Sequence, residues 1–500
     1  MASDLSADLA ADVSLSLPLL VTFVAYLIAI LFLGIKAYRQ THNLDDYILG
    51  GRKLGSVVTA LSVGASDMSG WLLLGLPGAI YLSGLSEIWI GVGLVIGAYC
   101  NWLFVSKPLR LYSQHAHNSL TLPDYFENRF NDRSRILRLV SAIVILLFFT
   151  FYTASGLVGG AILFENSFGL DYSVALLAGA LIIVSYTFVG GFLAVAWTDA
   201  IQALLMLAAL LLAPMAVVSA SGGVDIVWSE MQAANPQSTQ LLSNMTLISF
   251  VSLIAWGLGY VGQPHILARF MAIEDTRKLV PARRIAMSWM LVVLFGSVAT
   301  GLAGIAYFSD QVLQNPETVF IALSQQLFNP WIAGIITAAI LSAIMSTIDS
   351  QLLVSSSVIS EDFYRVFIGP DATQKELLAV SRAAVIGIAL LALLIASNRE
   401  SRVLDLVSYA WAGFGAAFGP VILFSLFWRK MTAHSAIAGM LVGALTVVIW
   451  SNLSGGIFDL YEIAPGFLFA SIAILLLGTL RPEQSQLTLT TYDEVKHLSR

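Results

Sequence analysis

Apolar residues come in runs of about twenty along this chain, separated by short polar segments, and a helix of that length crosses the hydrocarbon of a bilayer once. Thirteen such spans are predicted, at roughly 15–38, 54–81, 84–111, 135–164, 170–192, 195–220, 245–271, 284–308, 329–364, 376–397, 403–428, 434–454 and 459–480. Unbroken apolar runs satisfy their own backbone in lipid as helices, and no barrel-type alternation is present. The expected fold class is an all-α polytopic membrane protein. The first run begins near Leu15 without a basic flank. It is also too long for the core of a signal peptide, so it reads as a retained helix.

Composition agrees with the pattern. Of 500 residues, 58% are hydrophobic and 11% charged, with a mean hydropathy of +0.82, values that a soluble domain with an ordinary polar surface does not reach. The net charge of -6 is spread over short loops without a basic run, which argues against nucleic acid as a partner. The lone Cys100 excludes an intramolecular disulfide.

Basic residues test the span count independently, because Lys and Arg collect in every second loop of a membrane protein. All of the 25 Lys and Arg except Arg399 and Arg402 fall after spans 1, 3, 7, 9 and 11 or in the tail. That side is expected to be cytoplasmic, placing the acidic N-terminus (Asp4, Asp8, Asp12) outside and the C-terminus inside.

Two spans are interrupted. Span 2 carries Gly64-Ala-Ser-Asp-Met-Ser-Gly70, and span 7 carries Trp256-Gly-Leu-Gly-Tyr260 followed by Gly262 and Pro264, which weaken helical hydrogen bonding. Five spans separate them, so the two enter the membrane from opposite sides. Spans 2–6 and 7–11 are therefore expected to form two inverted five-helix units, repeat A at 54–220 and repeat B at 245–428. Span 1 and spans 12–13 (434–480) would be peripheral, with a tail at 481–500. Paired broken helices point to a secondary transporter with its sites at the midplane.

Asp67 is the sharpest candidate, since a carboxylate near the bilayer centre costs about 2.5–3.5 kcal/mol on insertion scales and should face a cavity, a cation or a partner. The alternative is a local cap, with Asp67, Ser66 and Ser69 satisfying backbone groups freed by the break. In span 9, Ser342, Ser346 and Asp349 share one helical face, and Ala343, Ser346, Thr347 and Ser350 an overlapping one. Hydroxyls beside a carbonyl-exposing break suit a desolvated Na+, although Ser and Thr commonly join membrane helices. Asp349 is a second intramembrane acid. Trp256 and Tyr260, four residues apart, are expected to share a face and form an apolar wall with polar edges, with Tyr152 added to it. Asp199 either lines an exit path or is solvated near the cytoplasmic face. For His265 and Arg269, snorkelling to the cytoplasmic surface is the default. Nucleotide loops, zinc helices and nucleophile elbows are absent from the sequence, so a gradient-driven process rather than an enzyme is expected.

The stretches "DDYILGGR", "ASDMSGWLLLGLPGA", "LTLPDYF", "WGLGYVGQPHILARFMA" and "LVSYAWAGFGAAFGP" closely resemble proline-carrying bacterial members of the sodium/solute symporter family, over nearly the whole chain. The resemblance implies a leucine-transporter-type core in a bacterial plasma (inner) membrane. It implies Na+ held by Ala65 and Met68 of span 2 and Ala343, Ser346 and Thr347 of span 9. It links Asp67 and Arg52 to sodium use, and Ser69, Gly70, Trp71, Tyr152, Trp256, Tyr260 and Pro264 to L-proline. Asp349 stands where the family pattern has a small uncharged residue, which leaves open a second cation site or an altered ion preference, with Asp199 as the other candidate. Partners are expected to be proline, sodium and the bilayer, with no nucleotide, in a monomer. Another substrate of the family, or a sensor or channel on the same scaffold, remains the alternative.

Overall fold

The structure, a computed structural model, describes residues 17–38, 44–189, 191–243 and 245–499. Asp4, Asp8, Asp12, Arg39 and Arg500, which entered the charge argument, lie outside these residues, as does the start of span 1. Among the described residues the chain is helical, with one isolated parallel bridge between Leu54 and Ile273.

The principal helices are α1 (Leu17–Tyr38), α2 (Ser56–Asp67), α3 (Leu76–Ser83), α4 (Ile88–Cys100), α5 (Ile136–Phe168), α6 (Tyr172–Val189), α7 (Phe192–Ser221), α8 (Leu247–Ala255), α9 (Pro264–Ala272), α10 (Leu279–Tyr307), α11 (Pro330–Ser357), α12 (Gln374–Ala396), α13 (Val403–Phe427), α14 (Ala433–Trp450), α15 (Ile463–Leu480) and α16 (Gln486–Ser499). Their starts are written locally. Thr246 caps α8 by accepting from Ser249 N at 3.1 Å. Asn329 accepts from Trp331 N and Ile332 N at the head of α11, and Pro264 opens α9, where its missing N–H costs nothing.

Ten helices among the described residues are long and apolar enough to cross a membrane, or eleven if the bent pair Leu247–Gly262 and Pro264–Ala272 is one span. Thirteen were expected, and the difference has two sources. The run Trp71–His115 counts as one helix of 45 residues, yet at 1.5 Å per residue it would be about 67 Å long, more than twice the hydrocarbon thickness. Gly84 sits inside it at φ +81, a left-handed conformation open to glycine, and turns the chain between α3 and α4. The second source is α6, whose apolar part, Tyr172–Ser185, is shorter than a full crossing.

Burial separates the centre from the lipid face. In α11 and α13, 83% of the most apolar window is buried, against 28% in α1, where Leu17, Ile28 and Phe32 face outward. α2 packs against α7, α9, α10 and α11, while α13 packs against the segment after α8 and against α5, α14 and α15. Lipid offers no hydrophobic drive between helices, so close approach through small residues takes its place. A Cβ on Gly97 would lie 2.0 Å from the Gly257 carbonyl oxygen, so α4 meets the break after α8 backbone to backbone.

Candidate cation and substrate site

α2 stops at Asp67. Met68 adopts φ -81, ψ 72, and the N–H of Ser69, which a continuous helix would aim at Ala65 O, turns instead to Asp67 O at 3.0 Å. The Ala65 carbonyl is thereby released from its helix. Two hydroxyls of α11 meet it, Ser346 Oγ at 2.8 Å and Thr347 Oγ1 at 3.4 Å, each also within reach of Ala343 O one turn back. Ala65, Met68, Ala343, Ser346 and Thr347 are all buried. Four of the five residues implied for Na+, Ala65, Ala343, Ser346 and Thr347, therefore meet where the α2 break faces α11, and Met68 is buried at the break itself. No group of three or more His, Cys, Asp or Glu able to hold a metal occurs among the described residues. Carbonyls and hydroxyls suit a hard cation, for which oxygen ligands are preferred.

Asp67 is buried beside this point, 2% exposed, and faces protein, not lipid. Its Oδ2 accepts the Tyr260 hydroxyl, while Oδ1 is a buried acceptor without a partner. Its backbone oxygen accepts from Trp71 Nε1 at 3.1 Å and from Tyr152 OH at 3.5 Å. Ser69 Oγ accepts from Trp71 N at 3.4 Å, and Gly70 lies so close to α11 that a Cβ there would sit 3.1 Å from Ile344. Thus Ser69, Gly70, Trp71, Tyr152 and Tyr260 surround Asp67.

The second break runs from Trp256 to Gly262 as a 3-10 turn and bends by 44° into α9. This overturns the shared face expected of Trp256 and Tyr260. At three residues per turn, positions four apart point about 120° away from each other. Tyr260 reaches Asp67 and meets Trp411 edge-on at 5.1 Å, whereas Trp256 lies against Tyr461 at 5.3 Å. Pro264 lines a narrow apolar crevice with Ile48, Leu122 and Met271, nearer the basic side. The carbonyls freed here are capped. Trp411 Nε1 donates to Trp256 O at 2.7 Å, Asn101 Nδ2 to Tyr260 O at 2.9 Å, and Gln263 Nε2 to Gly259 O at 3.2 Å.

Arg269 does not snorkel. It is 1% exposed, and Asp199 is fully buried, so the solvated reading of Asp199 falls as well. Arg269 Nη2 contacts Asp199 Oδ2 at 2.8 Å and Ser350 Oγ at 2.6 Å, and its Nε donates to Ser62 Oγ at 2.7 Å. A buried charge requires a partner and this network supplies one, joining α2, α7, α9 and α11. Asp349 is buried nearby on α11 with neither carboxylate oxygen partnered. His265 is buried with both ring nitrogens unpartnered.

Arg52 precedes α2 on the basic side in a left-handed conformation, φ +55. It donates to Met271 O (2.5 Å), Ser119 O (2.7 Å) and Asn118 Oδ1 (2.9 Å), tying the start of α2 to the end of α9. Burial, with Arg110 nearby, pushes the guanidinium down to about 10, which leaves it charged at neutral pH. On the opposite side, buried Glu317 accepts from Val403 N at 3.0 Å and Leu404 N at 3.1 Å, capping α13. Burial raises its pKa.

The sodium:solute symporter family model matches residues 47–443. The chain is 55% identical to the "Sodium/proline symporter" of Escherichia coli (strain K12), covering 93% of this chain and 94% of that one. It is 50% identical to a "High-affinity proline transporter" of Bacillus subtilis (strain 168), over 91% and 97% of the two chains. Among solved structures it is similar to a Na+-coupled sialic acid symporter in a substrate-bound outward-open state, with TM-score 0.80, 20% identity, and coverage of 94% and 100%. That last likeness concerns the fold alone.

Proposed function

The chain belongs to the sodium:solute symporter family, and on that premise we propose that it is a bacterial inner-membrane carrier that couples inward Na+ movement to uptake of L-proline. One observation supports the coupling most directly. A carbonyl freed by the α2 break, Ala65 O, is met by the hydroxyls of Ser346 and Thr347, beside the buried carboxylate of Asp67. A hydroxyl can turn its hydrogen aside and offer a lone pair, so Na+ entering between α2 and α11 takes these oxygens, with Met68 and Ala343 carbonyls completing the shell. The names of the relatives supply the substrate.

In this reading Na+ binds first from outside and draws α2 and α11 together, which fixes Ser69, Gly70 and Trp71. Proline then binds among these residues, Tyr152, Trp256 and Tyr260, with Pro264 setting the start of α9. Coupling arises because each ligand stabilises the arrangement the other needs. One charge crossing 100 mV gains about 2.3 kcal/mol, enough for roughly fifty-fold accumulation before the sodium gradient is counted. The carrier acts as a monomer of thirteen crossings, with inverted repeats at 54–220 and 245–428, its N-terminus outside and its C-terminus in the cytoplasm. Arg52 holds the cytoplasmic ends of the two broken helices closed. Asp199 already has Arg269 as its cation, leaving Asp349 as the acid available to a second one near the exit path.

Proline uptake into sealed proteoliposomes tests the proposal. An inward Na+ gradient drives accumulation, while K+ or a proton gradient alone does not. Uptake indifferent to Na+ refutes the coupling, and absence of proline uptake refutes the substrate.

A further inference from the structure

Tyr461 lies just before α15, outside the family-matched segment, and its half-buried side chain packs against the core. Its ring rests on Trp256 at 5.3 Å and 31°. Its hydroxyl donates to Ser408 O of α13 at 2.7 Å, and its N–H donates to Ser252 Oγ of α8 at 2.9 Å. Trp450 Nε1 donates to Leu460 O at 2.9 Å and fixes the turn that delivers it. One residue thus fastens together the outer half of the second broken helix, α13 and the head of α15.

A polar cavity of about 560 Å³ lies beyond it, on the side away from the basic loops, lined by Ser83, Ser86, Glu87, Ser252 and Asp459 among others. Ser252 both borders this cavity and holds Tyr461. Inward from the cavity the order is Tyr461, Trp256, Trp411, Tyr260 and Asp67, each joined to the next by a ring contact or hydrogen bond. A file of aromatic rings thus links the border of the cavity, at Ser252, to Asp67.

We propose that Tyr461 is the outer lid of the substrate pocket, a positioning residue that closes over bound solute by resting on Trp256 and locking to Ser408. The inference rests on the reading that Trp256 and Tyr260 border that pocket. The lock is one neutral hydrogen bond, strong enough to favour closure and weak enough to break in each cycle. The phenol ring adds an apolar surface that suits the flat, weakly polar face of an imino acid.

Tyr461→Phe keeps the ring and removes the lock. With purified protein holding radiolabelled L-proline in Na+, a chase with excess unlabelled proline releases label about five-fold faster than wild type, the value expected for one hydrogen bond. In proteoliposomes the half-saturating proline concentration rises by a similar factor, while maximal rate and Na+ half-saturation stay within about two-fold. Tyr172→Phe removes another buried hydroxyl, which donates to Ala396 O at 2.8 Å away from this file, and leaves both readouts unchanged. Release and half-saturation identical to wild type in Tyr461→Phe overturn the lid, as does an equal shift in Tyr172→Phe. Failure of wild-type protein to take up proline overturns the proposed substrate instead, so the two failures are distinct.

Discussion

The two interrupted helices break for similar reasons and end up with opposite properties. At the first, glycines and Asp67 stop α2, and the freed Ala65 carbonyl is met by hydroxyls of α11. At the second, the freed carbonyls of Trp256, Gly259 and Tyr260 are taken by N–H donors of Trp411, Gln263 and Asn101. An N–H has no lone pair to give, so a cation cannot replace its hydrogen bond without stranding it. The first break therefore presents oxygens whose hydroxyl partners can turn aside, and the second is a fixed shelf that presents aromatic side chains. What surrounds an interruption decides its chemistry more than the interruption itself.

The comparison is broken most severely at Asp67. Asp67→Asn removes the carboxylate at the first break itself, and Na+ half-saturation for proline uptake should rise by about a hundred-fold or more, equivalent to about 2.7 kcal/mol. A smaller loss follows from Ser346→Ala, about ten-fold in Na+ half-saturation for one lost ligand, while Thr347→Ser, which keeps its hydroxyl, stays near wild type. Both are read from uptake against Na+ concentration at saturating proline. Gln263→Ala sharpens the contrast: Na+ half-saturation stays within about two-fold, but thermal stability in detergent falls by about 1–3 kcal/mol because the Gly259 and Trp411 carbonyls lose a donor. The smallest effect is expected at Glu317→Gln, which keeps one acceptor at the head of α13 and should cost about 0.5–1 kcal/mol with Na+ dependence unchanged.

Much of this was legible in the residues. Apolar runs separated by charge place the helices, and both breaks fall where glycine, proline and Asp67 interrupt the runs. Four features escaped for identifiable reasons. The reading of Arg269 as snorkelling treated it singly, whereas Arg269, Asp199 and Asp349 are charges in three apolar segments, and such charges seek one another. Trp256 and Tyr260 were assigned to one face with a period of 3.6, and the break there runs at three per turn. Asn101, Gln263 and Trp411 carry the capping of the second break. Asn101 and Gln263 carry a signal, amide groups within apolar stretches, but no spacing rule joins the end of α4, the start of α9 and α13. Tyr461 is further still from any pattern, since only tertiary packing brings it onto Trp256.

Equilibrium binding of radiolabelled sodium to the purified protein tests the cation site most directly, because it needs no transport and no proline. The account predicts saturable binding that weakens about ten-fold in Ser346→Ala and is retained in Gln263→Ala. Sodium binding that is unchanged by loss of the Ser346 hydroxyl, or that disappears with the Gln263 amide, would contradict it.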